Sequence, residues 1–159
     1  MSFGGEQPLI IQSDRTLLLE TGGPRYEEAR DHLARFAELV KSPEQIHTYK
    51  VTPLSLLRAV AIIAVRGNGT DLDPRHLDRI AEGMEEAAQG GTLAALFKNR
   101  DVAAKTGTAK KQGGGTRALV VGFFPASRPK YAFVVVRNEG RGAVDAGPIA
   151  AQLVEDLSR

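Results

Sequence analysis

The sequence predicts an α+β domain built on one antiparallel sheet of about five strands, with helices on both faces. Three apolar stretches at residues 102–109, 117–124 and 131–137 follow one another through short connections, which is typical of an antiparallel meander. Two shorter apolar runs within residues 8–21 flank a Ser-Asp-Arg triplet and predict an N-terminal hairpin. The hairpin is expected to lie next to the 131–137 strand.

Helical patterns occupy the segments between these strands. Apolar residues at helical spacing predict a helix over residues 25–40, which ends at Ser42-Pro43. Thr52-Pro53 offers an N-cap and a first-turn proline for a second helix, which runs to Val65. Almost every residue of this second helix is apolar, so we expect it to be buried nearly all round.

Two more helices complete the predicted architecture. Asp73-Pro74 begins a helix whose expected apolar stripe is Leu77, Ile80, Met84 and Ala87. A short apolar turn follows at residues 92–97, and a terminal helix is expected over residues 145–157. We place the terminal helix and helix 25–40 on one face of the sheet and the helix after Thr52 on the other.

Composition is that of an ordinary globular chain. With 159 residues, 42% of them apolar and 25% charged, residues 1–159 are expected to form a single compact domain. No stretch approaches the roughly 18 apolar residues of a membrane span, and the chain is expected to be soluble. There is no cysteine, and the three histidines lack paired ligand spacing, so we expect neither a metal site nor a cofactor.

Charge is distributed unevenly along the chain. Residues 98–142 contain ten Lys and Arg residues against Asp101 and Glu139, a net charge of +8, whereas the whole chain carries +2. The remaining segments therefore sum to −6. A basic segment of this kind attracts anionic ligands, but the same cations are also compatible with solvated turns around apolar strands.

The predicted strand at residues 102–109 contains the candidate site, Lys105-Thr106-Gly107-Thr108. An ammonium group and two hydroxyls can hold a carboxylate, and a glycine in a strand allows a ligand backbone to come close. From these four residues alone, an ordinary sheet strand is the favoured interpretation, and the residues around them reverse that preference.

The residues around this strand resemble a known family. Eight short patterns occur in the order and spacing of a penicillin-binding protein transpeptidase domain, over about residues 51–157: Thr52-Pro53-Leu54, Asn68-Gly69, Gly83-Met84, Gly91-Thr92, Ala104-Lys105-Thr106-Gly107-Thr108-Ala109, Gly122-Phe123-Phe124-Pro125, Pro129-Lys130-Tyr131-Ala132 and Gly147-Pro148-Ile149-Ala150. The resemblance implies that Lys105, Thr106, Gly107 and Thr108 lie on the edge strand of the sheet, beside the groove for a D-alanyl stem peptide. It also implies a transpeptidase and β-lactamase type of core.

Acyl transfer in this family requires a nucleophilic serine, a lysine one helical turn later, and a Ser-x-Asn element. The Ser-x-x-Lys pattern occurs here at Ser127-Arg128-Pro129-Lys130, in a turn after the Lys-Thr-Gly strand, and no serine precedes an asparagine by two residues. These elements belong to the family's helical lobe, which the chain is too short to contain. We therefore expect no catalytic residues and no enzyme activity, with residues 105–108 kept as a vestigial carboxylate-binding strand.

The N-terminal part resembles a different family. Over about residues 7–57 the chain is similar to the start of the N-terminal accessory domain of bacterial XPB-type DNA repair helicases, in segments 8–20, 36–44, 47–49 and 52–54. The two resemblances meet at Thr52-Pro53-Leu54. We interpret the chain as chimera-like, recombined or designed, with residues 1–50 helicase-like and residues 51–159 transpeptidase-like. A natural protein with a divergent N-terminus is the alternative. A transpeptidase parent implies the cell wall and a helicase parent the cytoplasm, so the compartment stays open.

Three functional hypotheses follow. The first is a transpeptidase-like core that binds a carboxylate or peptide weakly and does not acylate. The second is a nucleic-acid-binding accessory module, although residues 1–50 contain eight Asp and Glu against six Lys and Arg. The third is a stable recombined domain without a selected activity. The sequence leaves the oligomeric state open.

Overall fold

The computed structural model of the chain describes the backbone of residues 16–20 and all of residues 51–159. The elements in order are β1 (Thr16–Glu20), α1 (Pro53–Ala64), α2 (Pro74–Gln89), α3 (Ala94–Phe97), β2 (Ala103–Lys110), β3 (Thr116–Phe124), β4 (Tyr131–Arg137), a π-helical turn (Gly142–Ala146) and α4 (Gly147–Leu157). The expected helix 25–40, the first strand of the expected hairpin and residues 46–50 lie outside the described residues.

The described strands form a four-stranded antiparallel sheet in the order β1-β4-β3-β2. The predicted meander is confirmed, with strand ends within one or two residues of the expected ones. β1 pairs with β4 from Thr16 opposite Val135 to Glu20 opposite Tyr131, so the second strand of the expected hairpin lies next to the 131–137 strand as predicted. The fifth expected strand belongs to the part of the hairpin outside the described residues.

Helix α1 begins where the sequence predicts. The Thr52 hydroxyl accepts a hydrogen bond from the Ser55 N–H at 3.1 Å, and Pro53 occupies the first helical position, where a missing N–H has no consequence. Every residue from Pro53 to Ala64 is buried or half-buried, as expected from their apolar character. The helix ends at a turn in which Arg66, Gly67 and Gly69 all have positive φ.

The sheet is covered on both faces, and a cluster of buried side chains lies on each. The α1 face is the side on which Leu57 and Val60 of α1 pack against Phe123 and Val134. The α4 face is the opposite side, where Leu153 and Val154 of α4 pack on Val120, Phe124 and Phe133 together with Phe97 of α3. Side chains of β4 alternate between the two clusters, and residues 132–136 are all buried, as in a strand covered on both sides. The predicted placement of α4 and α1 on opposite faces is confirmed.

The expected apolar stripe of α2 is partly wrong. The helix buries Leu77, Ala81, Met84 and Ala88, whereas Ile80 is 47% exposed. The buried positions are separated by four, three and four residues, which places them on one side of the helix. Ile80 lies outside this side, so it is not part of the buried stripe.

The predicted terminal helix begins later than expected. Residues 142–146 form the π-helical turn, and α4 proper starts at Gly147. The Asp145 carboxylate accepts a hydrogen bond from the Arg141 N–H at 2.7 Å, and the Asp145 N–H donates to the Arg141 carbonyl at 2.8 Å. The wider turn is closed by the Gly147 N–H, which donates to the Gly142 carbonyl five residues earlier, so Asp145 lies in the turn before α4 rather than within it.

Candidate functional site

The Lys-Thr-Gly-Thr residues lie on β2, which is an edge strand among the strands that the structure describes. β3 pairs along the whole of β2, from Ala103 opposite Phe123 to Lys110 opposite Thr116. An edge strand presents one row of backbone N–H and C=O groups that its own sheet does not use. The predicted edge position of this strand is therefore present in the fold.

The four residues divide between the two faces of the sheet. Ala103 belongs to the α1-face cluster and Ala104 to the α4-face cluster. Because side chains alternate along a strand, Lys105 and Gly107 lie on the α1 face and the two threonines on the α4 face. A ligand that contacts both Lys105 and the threonine hydroxyls must therefore lie along the strand edge, where side chains from both faces reach.

The ammonium of Lys105 stays at this edge. Its Nζ donates to the carbonyl oxygen of Thr106 at 2.7 Å, and the side chain is exposed to solvent. On the other face, the Thr106 hydroxyl lies 3.4 Å from the hydroxyl of Thr92, which precedes α3. A cation and two hydroxyls are thus close to the same point of the strand.

Thr108 is exposed, but its hydroxyl is hydrogen-bonded to the protein. Its hydroxyl accepts a hydrogen bond from the Gly142 N–H at 3.2 Å. Gly142 lies so close to the sheet that a Cβ there would be 2.7 Å from the carbonyl oxygens of Gly107 and Leu119. The hydroxyl of Thr108 therefore joins β2 to the π-helical turn, and only its proton is left to donate.

Gly107 has a different environment. Its φ is not positive, and a Cβ built on it would meet the Leu119 side chain at 3.5 Å, an ordinary van der Waals contact. Neither backbone conformation nor packing requires glycine at this position. What the glycine does provide is a position without a side chain on the α1 face of β2, between Lys105 and Ala109.

Ser127, the serine of the Ser-x-x-Lys pattern, lies away from β2. Its N–H donates to one oxygen of the Asp101 carboxylate at 2.9 Å, and its hydroxyl donates to the other. The Nζ of Lys130 lies 5.0 Å from the centre of the Tyr131 ring. The serine is thus hydrogen-bonded to a carboxylate in an exposed turn, and the lysine of the pattern packs against an aromatic ring.

A cleft of 540 Å³ opens at the beginning of β2, between Val102, Phe124 and the last turn of α4. Arg100 and Arg159 lie on its rim, and both bind Glu155, at 3.4 Å and 3.2 Å. Since both guanidinium groups pair with the Glu155 carboxylate, their charge is already compensated, and the cleft is not our candidate anion site. The candidate site is the exposed strand edge instead.

Sequence reasoning missed Thr92 and Gly142 as neighbours of the strand. Thr92 occurs in the Gly91-Thr92 pattern of the family resemblance, whereas Gly142 occurs in none of the eight patterns. Nothing in a linear sequence shows that Thr92 meets Thr106 or that Gly142 meets Thr108. Within residues 16–20 and 51–159, no group of His, Cys, Asp or Glu is placed to bind a metal ion. The same described residues include no helix with the length and hydropathy needed to cross a membrane.

Comparison with family models identifies the fold. Residues 41–158, most of the chain, match the model of the penicillin-binding protein transpeptidase domain. The chain belongs to this transpeptidase family. The match begins before Thr52 and ends one residue before the C-terminus, so it includes β2, the π-helical turn and α4.

Solved transpeptidase structures have the same fold as this chain. PBP2 from Pseudomonas aeruginosa, solved in complex with WCK 5153, is 27% identical and superposes with a TM-score of 0.58 over 67% of this chain and 29% of that one. The transpeptidase domain of FtsI4 from Legionella pneumophila superposes with a TM-score of 0.59 over 98% of this chain and 82% of that one, at 19% identity, which concerns the fold alone. The chain thus spans less than a third of the length of the Pseudomonas protein.

The N-terminal part matches a second family. Residues 9–64 match the model of a helicase conserved C-terminal domain. The chain is 56% identical over 54 residues to the DNA 3'-5' helicase XPB of Kineococcus radiotolerans, and 52% identical over 54 residues to that of Mycobacterium tuberculosis. It spans about a tenth of the length of these helicases. The two family matches overlap at residues 41–64, which include Thr52-Pro53-Leu54, so the chimera-like interpretation is confirmed.

Proposed function

We propose that the chain is an incomplete transpeptidase-like core that binds a carboxylate-terminated peptide weakly along the edge of β2 and does not carry out acyl transfer. The observation that supports binding is that β2 is an edge strand whose residues 105–110 are exposed or half-buried, whereas α2 packs against its beginning at Ala103. Lys105 is exposed there, and Gly107 leaves the edge bare although the fold does not require glycine. A ligand backbone can therefore approach β2 closely, with its carboxylate near the Lys105 ammonium.

The same contacts explain why binding is expected to be weak. Lys105 is exposed, and an ion pair between exposed groups contributes only about 0.2–1 kcal/mol. The Thr108 hydroxyl already accepts from Gly142, so it offers a ligand one hydrogen-bond donor and less acceptor capacity. A second wall facing the strand is expected from the family's helical lobe, and this sequence lacks that lobe's Ser-x-x-Lys and Ser-x-Asn patterns.

The absence of acyl transfer is proposed from the only Ser-x-x-Lys pattern in the sequence. A serine nucleophile in this chemistry needs an amine that removes its proton. Ser127 donates its proton to Asp101 instead, while Lys130 packs on Tyr131. The hydroxyl of Ser127 therefore has a carboxylate as its partner and not an amine. The serine and lysine of this pattern do not form the pair that acyl transfer requires.

Two measurements test this proposal. The full chain is incubated with a fluorescent penicillin and its intact mass is recorded; we expect no adduct, and an adduct on any serine would overturn the non-catalytic part. Binding is followed by NMR titration with N-acetyl-D-Ala-D-Ala, with expected amide shifts at residues 105–108. Lys105→Gln should weaken this response about two- to fivefold, as expected for one exposed ion pair. Lys98→Gln, an exposed lysine before β2, serves as the matched control and should leave it unchanged.

A second candidate is a nucleic-acid-binding accessory module, which the match of residues 9–64 to a helicase family favours. Electrostatic binding to nucleic acid weakens steeply as salt increases, because counterions are released when phosphates are neutralised. Retention of the full chain on DNA that falls steeply between 50 and 200 mM salt, roughly the range over which phosphate contacts are lost, would favour this candidate. Retention that is absent or independent of salt would exclude it.

A further inference from the structure

We propose a second oxyanion-binding site at the far end of β2, formed by the side chains of Lys110 and Arg141. It lies beyond the Lys105 site and does not depend on it. Lys110 comes five residues after Lys105, so the Cα atoms of the two lysines are about 17 Å apart along the strand at about 3.3 Å per residue. The ligand class is a carboxylate or phosphate group, alone or on an extended molecule lying along the strand.

Hydrogen bonds to two strands place Arg141 beside Lys110. On one side of it, the Gly140 N–H donates to the Thr116 carbonyl at 3.2 Å and the Thr116 hydroxyl donates to the Gly140 carbonyl at 2.8 Å. Thr116 is directly opposite Lys110 in the sheet. On the other side, the Gly142 N–H donates to the hydroxyl of Thr108, two residues before Lys110. The backbone of Arg141 therefore lies between Thr116 and Thr108, the two neighbours of Lys110, on the same face of the sheet.

The loop that carries Arg141 has little freedom to move. Gly140 has a φ of 113°, and the Asp145 side chain occupies the place where a Cβ on Gly140 would lie. The backbone N–H of Arg141 donates to Asp145 at 2.7 Å, and Gly142 lies against backbone atoms of β2 and β3. Since these contacts hold the backbone on both sides, the Arg141 side chain is presented from a fixed position.

The neighbouring charges leave these two cations available. Lys111 binds Glu139 at 3.3 Å, and the Asp145 carboxylate accepts from the Arg141 backbone. Lys110 and Arg141 are both exposed, and neither side chain forms an ion pair with any residue of the part of the chain that the structure describes. Two like charges on adjoining segments repel each other, and an oxyanion bound by both offsets that repulsion. The planar guanidinium of Arg141 can also bind an oxyanion with two parallel hydrogen bonds.

The test is an NMR titration of the full ¹⁵N-labelled chain with sodium phosphate, and separately with sodium acetate, at constant ionic strength set by sodium chloride. Expected are saturable amide shifts at Lys110 and at residues 140–142. Lys110→Gln and Arg141→Gln should each reduce the affinity about two- to fivefold, and the double variant further. Lys98→Gln and Lys105→Gln should leave it unchanged, and the spectrum of each variant reports that it is folded.

The outcomes separate the two sites. Shifts with neither phosphate nor acetate, or shifts that Arg141→Gln and Lys110→Gln leave intact, would overturn the proposal. Loss of the response in Lys105→Gln would assign the anion to the first site and also overturn it. Tighter binding of phosphate than of acetate supports the site and identifies a phosphate-bearing ligand, whereas the reverse supports it and identifies a carboxylate. If N-acetyl-D-Ala-D-Ala causes no shifts at residues 105–108 while phosphate still binds, the proposed function fails and the second site stands.

Discussion

Replacement of Gly142 by alanine is expected to destabilise the domain, whereas the same replacement at Gly107 is not. A Cβ on Gly142 would lie 2.7 Å from the carbonyl oxygens of Gly107 and Leu119, and both are backbone atoms of the sheet. Backbone of paired strands cannot rotate away as a side chain can, so the loop itself must move. That movement stretches the bond from the Gly142 N–H to the Thr108 hydroxyl.

The magnitude follows from these contacts. Overpacking of this kind typically costs about 1–3 kcal/mol. Gly→Ala also lowers the entropy of the unfolded chain, which stabilises the folded state by about 0.4–1 kcal/mol where the site accepts a Cβ. Gly107 has room, since the new Cβ would meet only the Leu119 side chain at 3.5 Å. We therefore expect Gly142→Ala to unfold at lower urea concentration and Gly107→Ala to be neutral or slightly more stable.

The assay is equilibrium urea unfolding of the wild type and both variants, with thermal unfolding as a second measurement. For a chain of this size, each kcal/mol corresponds to roughly 2–4 °C in Tm. An equal loss of stability in both variants, or an unchanged midpoint for Gly142→Ala, would refute the reasoning. Gly107→Ala should in addition weaken N-acetyl-D-Ala-D-Ala binding, because its methyl group stands on the strand edge that the ligand approaches.

Two further predictions concern the helices. Leu57→Ala should lower the free energy of unfolding by about 2–5 kcal/mol in urea titrations, because Leu57 is fully buried between α1 and the sheet and its removal leaves a cavity; the exposed Ile80→Ala is the control and should change stability far less. Hydrogen bonds from the Arg75 side chain, and then from its backbone N–H, lower the pKa of Asp73 below its ordinary value of 3.8. A carboxyl whose pKa is lower in the folded than in the unfolded state stabilises the fold above the unfolded pKa, and loses that effect as pH falls through the folded one. The stability advantage of wild type over Asp73→Asn should thus be constant near neutral pH and shrink below about pH 4; an advantage that grows in acid would contradict this.

The sequence by itself determined the elements wherever local chemistry dictates them. Thr52-Pro53 and Asp73-Pro74 begin helices because a hydroxyl or carboxylate caps the free N–H groups and proline has no N–H to lose. The meander follows from apolar strands joined by connections too short for any other pairing. The sequence also shows that its Ser-x-x-Lys pattern, at residues 127–130, includes a proline and follows the Lys-Thr-Gly strand, where a turn is predicted.

Only the tertiary structure decided which side chains meet. Alternation along β2 puts Lys105 and Thr106 on opposite faces, so a carboxylate that contacts both must lie along the edge of the strand. Ile80 is exposed because the side of α2 that faces the protein is the one carrying Leu77, Ala81, Met84 and Ala88. The backbone of Arg141 lies at the Lys110 end of β2 because Gly140 bonds to Thr116 of β3 and Gly142 to Thr108 of β2. Such contacts join residues that are distant in the chain, and they arise from packing between elements, which no local pattern specifies.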